Sequence, residues 1–77
     1  MIEQLDALIN SGHPWAAQRA AMAKQLIEQR QTGQLEADEY QELLGDLVAT
    51  DKLDAEADDI QIKSMLVNAI HIASQII

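Results

Sequence analysis

Apolar residues along this chain recur at helical spacing, and glycines mark where the pattern stops. Ile2, Leu5, Leu8 and Ile9 form the first such set, ended by Gly12, a residue suited to the left-handed turn that closes a helix. This predicts a short helix over residues 2–11. Pro14 fits the first turn of a second helix, where its missing N–H is not needed, and Gly33 closes that helix, giving residues 14–32. The second helix is rich in alanine at Ala16, Ala17, Ala20, Ala21 and Ala23, so another helix can come close. Its larger apolar groups are Trp15, Met22, Leu26 and Ile27, and Gln18, Arg19, Gln25, Gln29 and Arg30 read as its outer face. After Gly33 and Leu35, Asp38 and Glu39 supply the acidic first turn that a helix N-terminus favours. Tyr40, Leu43, Leu44, Leu47 and Val48 then fall at i, i+3, i+4, i+7 and i+8, the pattern of one buried stripe. That predicts a third helix over residues 37–50, interrupted in propensity only by Gly45.

The stretch ATDKLDAEADD has few large apolar groups, and Thr50, Asp51 and Asp54 are candidate N-caps for a break near residues 50–54. One continuous helix through that break is the alternative. Beyond it Ile62, Met65, Leu66, Ala69, Ile70, Ala73, Ile76 and Ile77 keep the helical rhythm, predicting a fourth helix over residues 54–76. Val67 and Ile72 widen its apolar face beyond what one neighbour covers. Each buried Leu, Ile or Val contributes roughly 1.5–3 kcal/mol, so an exposed face of this kind invites association. The expectation is that a second chain covers part of it, with Ile62, Leu66, Ile70, Ile76 and Ile77 at the contact. Trp15 is a further interface candidate, although a core plug packed against the first helix is the favoured reading of it.

The whole is then all-α, a single domain over residues 1–77 built as a small bundle of three to four helices with a hairpin about Gly33. At 77 residues, folding buries only about 60% of the surface that the unfolded chain exposes, so help from a partner is plausible. With no cysteine, that help cannot come from disulfides or thiolate-bound metal. The segment MIEQLDALIN carries carboxylates where a secretory leader carries bases, and no apolar run reaches the ~20 residues that span a bilayer, so no membrane association is expected.

Charge narrows the function further. Thirteen acids against five bases give a formal net charge of −8, which argues against direct nucleic-acid binding, since phosphate affinity comes mostly from Lys and Arg. No catalytic residues are assigned, because two separated histidines, His13 and His71, and no cysteine do not assemble a nucleophile with its base. His13 reads as a capping or solvent residue at a helix entry, and His71 as a helix-flank residue with a pH-sensitive contact as the sharper option. Between Glu36 and Asp59 lie ten carboxylates and one base, but no Asp-x-Asp-x-Asp-Gly calcium loop and no Glu-x-x-His pairing, so neither metal nor cofactor is expected. Asp38, Glu39, Glu42, Asp46, Asp58 and Asp59 instead mark an acidic face.

Residues 25–47, QLIEQRQTGQLEADEYQELLGDL, resemble the short helical hairpins called SHOCT domains. The shared features are a helix ending at Gly33, then Leu35, an acidic turn with Glu39, the aromatic Tyr40, and Leu43 with Leu44. Glu36 stands where that family prefers Ser or Thr, and the hairpin lies in mid-chain rather than at a C-terminus. The resemblance implies an oligomerisation or partner-binding module, not an enzyme. Two functions follow as expectations. The first is a protein–protein interaction or assembly subunit, homo-oligomeric or docked on a larger complex through its last helix. It would be cytoplasmic, or part of a virion if the chain is a small phage accessory protein. The second is an acidic inhibitor that mimics DNA in the groove of a nucleic-acid-binding protein.

Overall fold

A computed structural model describes residues 2–48 and 51–75, and every regular element among them is a helix. They are α1 (Ile2–Ile9), α2 (Pro14–Gln31), α3 (Ala37–Val48), α4 (Asp51–Glu56) and α5 (Ile60–Ser74). The all-α bundle and the hairpin about Gly33 are therefore present. Gly12 and Gly33 adopt φ of +82° and +81°, the left-handed region that side chains with a Cβ resist, so both turns need glycine. Candidate contacts Ile76 and Ile77, and the candidate cap Thr50, lie outside the described residues.

One expectation about the last helix is corrected. Residues 54–76 are not a single helix: α4 ends at Glu56, and α5 starts afresh at Ile60. The cap is Asp59, whose carboxylate accepts from the backbone N–H groups of Gln61 at 3.0 Å and Ile62 at 3.1 Å. The two amides gain partners that the helix itself cannot provide. The resulting turn lets α4 deliver Leu53, fully buried, to the core while α5 runs in its own direction.

A single core joins the helices. Leu5 and Leu8 of α1 meet Trp15, Ala16, Ala20, Ala23 and Ile27 of α2; Tyr40, Leu44 and Leu47 come from α3, and Leu66, Ala69, Ile70 and Ala73 from α5. Ala16, Ala20 and Ala23 are wholly buried, so the alanine stripe is where neighbouring helices approach α2 closely. Both α2 and α5 pack against α1, against α3 and against each other, which places them at the centre of the bundle.

Polar ties stitch the elements together. Lys24 Nζ reaches Asp6 of α1 at 2.7 Å. Arg19 was expected on the outer face, but its side chain is only 14% exposed and ion-pairs with Glu56. Its Nε also donates to the Leu47 carbonyl at 3.1 Å, joining α2 to the end of α3 and to α4. Arg30 is likewise half-buried and donates to the Leu35 carbonyl, while its Nε has no partner. Tyr40 donates from its hydroxyl to the Ala73 carbonyl at 2.8 Å, so a buried phenol finds an acceptor in the last turn of α5.

Candidate functional site

The residues expected at an intermolecular contact divide when their burial is examined. Leu66 and Ile70, at 0% and 2% exposure, lie in the chain's own core and are not available to a second chain. The reason is that α1, α2 and α3 together surround the inner face of α5, so the short upstream helices suffice to cover it. Ile62 is half-buried against the same core. Trp15 is also a core residue, 8% exposed, and its indole N–H donates to Asp58 at 3.1 Å.

That hydrogen bond belongs to a small polar cluster at the entry to α2. The His13 and Trp15 rings lie 5.7 Å apart, centre to centre. His13 Nδ1 is 3.4 Å from Asp58, and Nε2 is 3.8 Å from Asp59. His13 occupies the N-cap position of α2 but makes no capping bond with its side chain. Asp58 and Asp59, grouped by sequence with the acidic face, instead fasten the turn before α5 to the start of α2.

The rest of the acidic set does share one surface. Asp38, Glu39, Glu42 and Asp46 are all exposed on α3, opposite Tyr40, Leu44 and Leu47. Arg19, Lys24, Arg30 and Lys63 form no ion pair with any of them. These four bases are used elsewhere: Arg19, Lys24 and Lys63 in ion pairs with Glu56, Asp6 and Asp54, and Arg30 against the Leu35 carbonyl.

Beside this acidic face runs a groove between α2 and α3, of about 310 Å³, walled by Met22, Leu26, Leu43 and Leu47. Gln25, Gln29 and Asp46 form its rim. Met22 and Leu43 remain 51% and 40% exposed, although both are large apolar groups. Periodicity had placed Leu43 in the buried stripe. It lies on the flank of that stripe, and the exposure of Met22 could have been anticipated from the polar residues around it.

A larger groove of about 570 Å³ separates α3 from α5, lined in part by Leu44, Gly45, Val67 and His71. Its polar rim satisfies itself: Gln41 donates to the Ser74 carbonyl, and Gln75 and His71 hydrogen-bond each other. His71 is thus an exposed flank residue. Further along α5, Ile60 is 82% exposed beside Lys63 and Val67, and Met65 and Ile72 are partly exposed. Among the described residues, no three His, Asp or Glu side chains are grouped as a metal ion requires, and no helix is long and apolar enough to cross a membrane.

No family model, curated protein or solved structure matches the chain.

Proposed function

We propose that this protein is a protein–protein interaction subunit, working through the outer face of α3 and the adjoining α2–α3 groove rather than through the core face of α5. The observation that carries this reading is the set of four exposed carboxylates, none of them paired with Arg19, Lys24, Arg30 or Lys63, beside exposed Met22 and Leu43. Asp38 and Glu39 at the start of α3 favour the helix, but Glu42 and Asp46 do not. Like charges at i, i+4 cost about 0.2–0.5 kcal/mol per pair, and Asp38–Glu42 and Glu42–Asp46 are two such pairs. Asp46 also lies in the last turn, where an acid opposes the helix dipole and α3 has no base. Folding therefore gains nothing from Glu42 and Asp46, whereas a partner of opposite charge would. The resemblance of residues 25–47 to SHOCT hairpins points to the same role, and a cytoplasmic or virion setting is compatible with it.

The DNA-mimic reading has less support. A 12-residue helix is about 18 Å long, and duplex DNA of that length carries roughly ten phosphates. Against that density α3 sets Asp38, Glu39, Glu42 and Asp46.

Placing a photoactivatable benzophenone amino acid at Leu43, with Glu3 on α1 as the control site, tests the proposal in cells that naturally produce the chain. A discrete protein adduct from position 43, absent from position 3 and lost on Glu42→Lys/Asp46→Lys, is the supporting result. No adduct from position 43, or equal adducts from both sites, would reject it.

A further inference from the structure

Resting on that reading, we infer that the α2–α3 groove receives a cationic amphipathic helix from its partner protein, with that helix's apolar stripe on Met22 and Leu43 and its bases against Glu39, Glu42 and Asp46. Geometry sets the length. The groove's walls run from Met22 to Gln29 on α2 and from Leu43 to Leu47 on α3, so about two turns of an occupant, ~10 Å, lie against it. Helix-in-groove docking uses anchors at i, i+3, i+4 and i+7, and a third helix laid between α2 and α3 would present such a row to Met22, Leu26 and Leu43. Methionine at the groove wall suits this use, because its unbranched, polarisable side chain adapts to differing apolar partners.

Charge identifies the occupant. Glu39 and Asp46 lie one turn to either side of Leu43 on α3, so any apolar group seated on Leu43 has carboxylates within a side chain's reach at both ends. Lys and Arg satisfy that arrangement best, since their aliphatic stems cover apolar surface while their charged ends meet the carboxylates. Arg19, Lys24 and Lys63 are already paired and do not supply those bases. A second copy fits badly. A two-fold dimer through this face would bring a second set of Glu39, Glu42 and Asp46 into the same interface. The net charge of −8 adds to that repulsion and also steers a basic partner in from a distance.

The probe is a synthetic helical peptide of about three turns, with Leu at the anchor positions and Lys elsewhere, titrated into the full chain by calorimetry. A second peptide with Glu in place of Lys serves as its charge-reversed match. The Lys peptide should bind and the Glu peptide should not. Met22→Gln/Leu43→Gln, which leaves net charge unchanged, should weaken binding at least about tenfold at moderate salt. Glu39→Gln/Asp46→Gln should weaken it strongly at low ionic strength and less at high, where screening already acts.

Four results would overturn the inference. Equal binding by the Met22→Gln/Leu43→Gln variant would reduce the effect to bulk charge attraction, and equal binding of both peptides would remove the charge argument. No binding of the Lys peptide, alongside a specific adduct from position 43, would leave the interaction role standing and reject only the basic helix. Failure of both experiments would remove the two readings together.

Discussion

At the scale of single residues, Tyr40 shows how burial makes a side chain responsive to pH. It is 1% exposed and donates to the Ala73 carbonyl, a bond that its anion cannot make. Burial pushes its pKa above the ordinary 10.0, and nearby Arg30 offsets part of that rise. Below about pH 10 the phenol is neutral in both the folded and unfolded chain, and its contribution to stability is complete. As pH rises past 10, the unfolded chain loses the proton first, so stability falls until the folded phenol has also ionised. Tyr40→Phe should therefore cost about 1 kcal/mol at neutral pH, through the unpaired carbonyl, yet lose less further stability than wild type between pH 9 and 11. Urea unfolding followed by the fluorescence of Trp15, the single tryptophan, measures both effects. The two proteins differ only at the phenol, so the difference between them isolates it. Parallel losses in the two would assign the alkaline sensitivity to groups other than Tyr40.

At the scale of elements, Gly45 makes a clear case because α3 gains nothing structural from it. It sits inside a helix at negative φ, and a Cβ built there would meet nothing within 4 Å. Gly45→Ala should stabilise the protein by up to ~1 kcal/mol. That amounts to roughly 4–8 °C in Tm for a domain of this size. Calorimetric melting tests it, and a lowered Tm would mean that the α3–α5 groove has no room for a side chain at this position. The elements themselves were legible where an apolar stripe, a glycine and a proline agreed, as in α1, α2, α3 and the turn at Gly33. They were less legible at residues 54–59, because Leu53 and Ala57 sustain a weak helical pattern across the turn. The sequence Asp58-Asp59 immediately before Ile60 was the available signal for a new N-cap. Site residues were harder still. Arg19 and Asp58 look like solvent-facing charges in the sequence, and only tertiary contacts reveal that one ties α2 to α3 and α4 while the other holds the indole of Trp15.

At the scale of the whole molecule, the question is what satisfies the apolar C-terminal run. Helical periodicity correctly marked Leu66 and Ile70 as residues needing cover, but it could not say whether that cover came from the same chain. Small side chains on α2 supply the answer, because Ala16, Ala20 and Ala23 let α2 lie close enough for α1, α2 and α3 to enclose the inner face of α5. The protein should therefore remain a single chain in light scattering over a wide concentration range. Leu66→Asp/Ile70→Asp should unfold it rather than release folded monomers from an oligomer. Removing one buried leucine to alanine already costs about 2–5 kcal/mol, and placing a carboxylate in the cavity adds its desolvation. The total stability of a domain this small is only about 4–12 kcal/mol at roughly 0.05–0.15 kcal/mol per residue, so two such changes exceed it. Circular dichroism of the double variant should show lost helix, whereas Met22→Gln/Leu43→Gln should keep the wild-type spectrum, because its side chains already meet water. A wild-type oligomer that the Asp pair converts into a helical monomer would instead return the inner face of α5 to an intermolecular role. Loss of helix in the Asp pair alone would leave the α2–α3 groove as an apolar surface free to meet a partner without any part of the core opening.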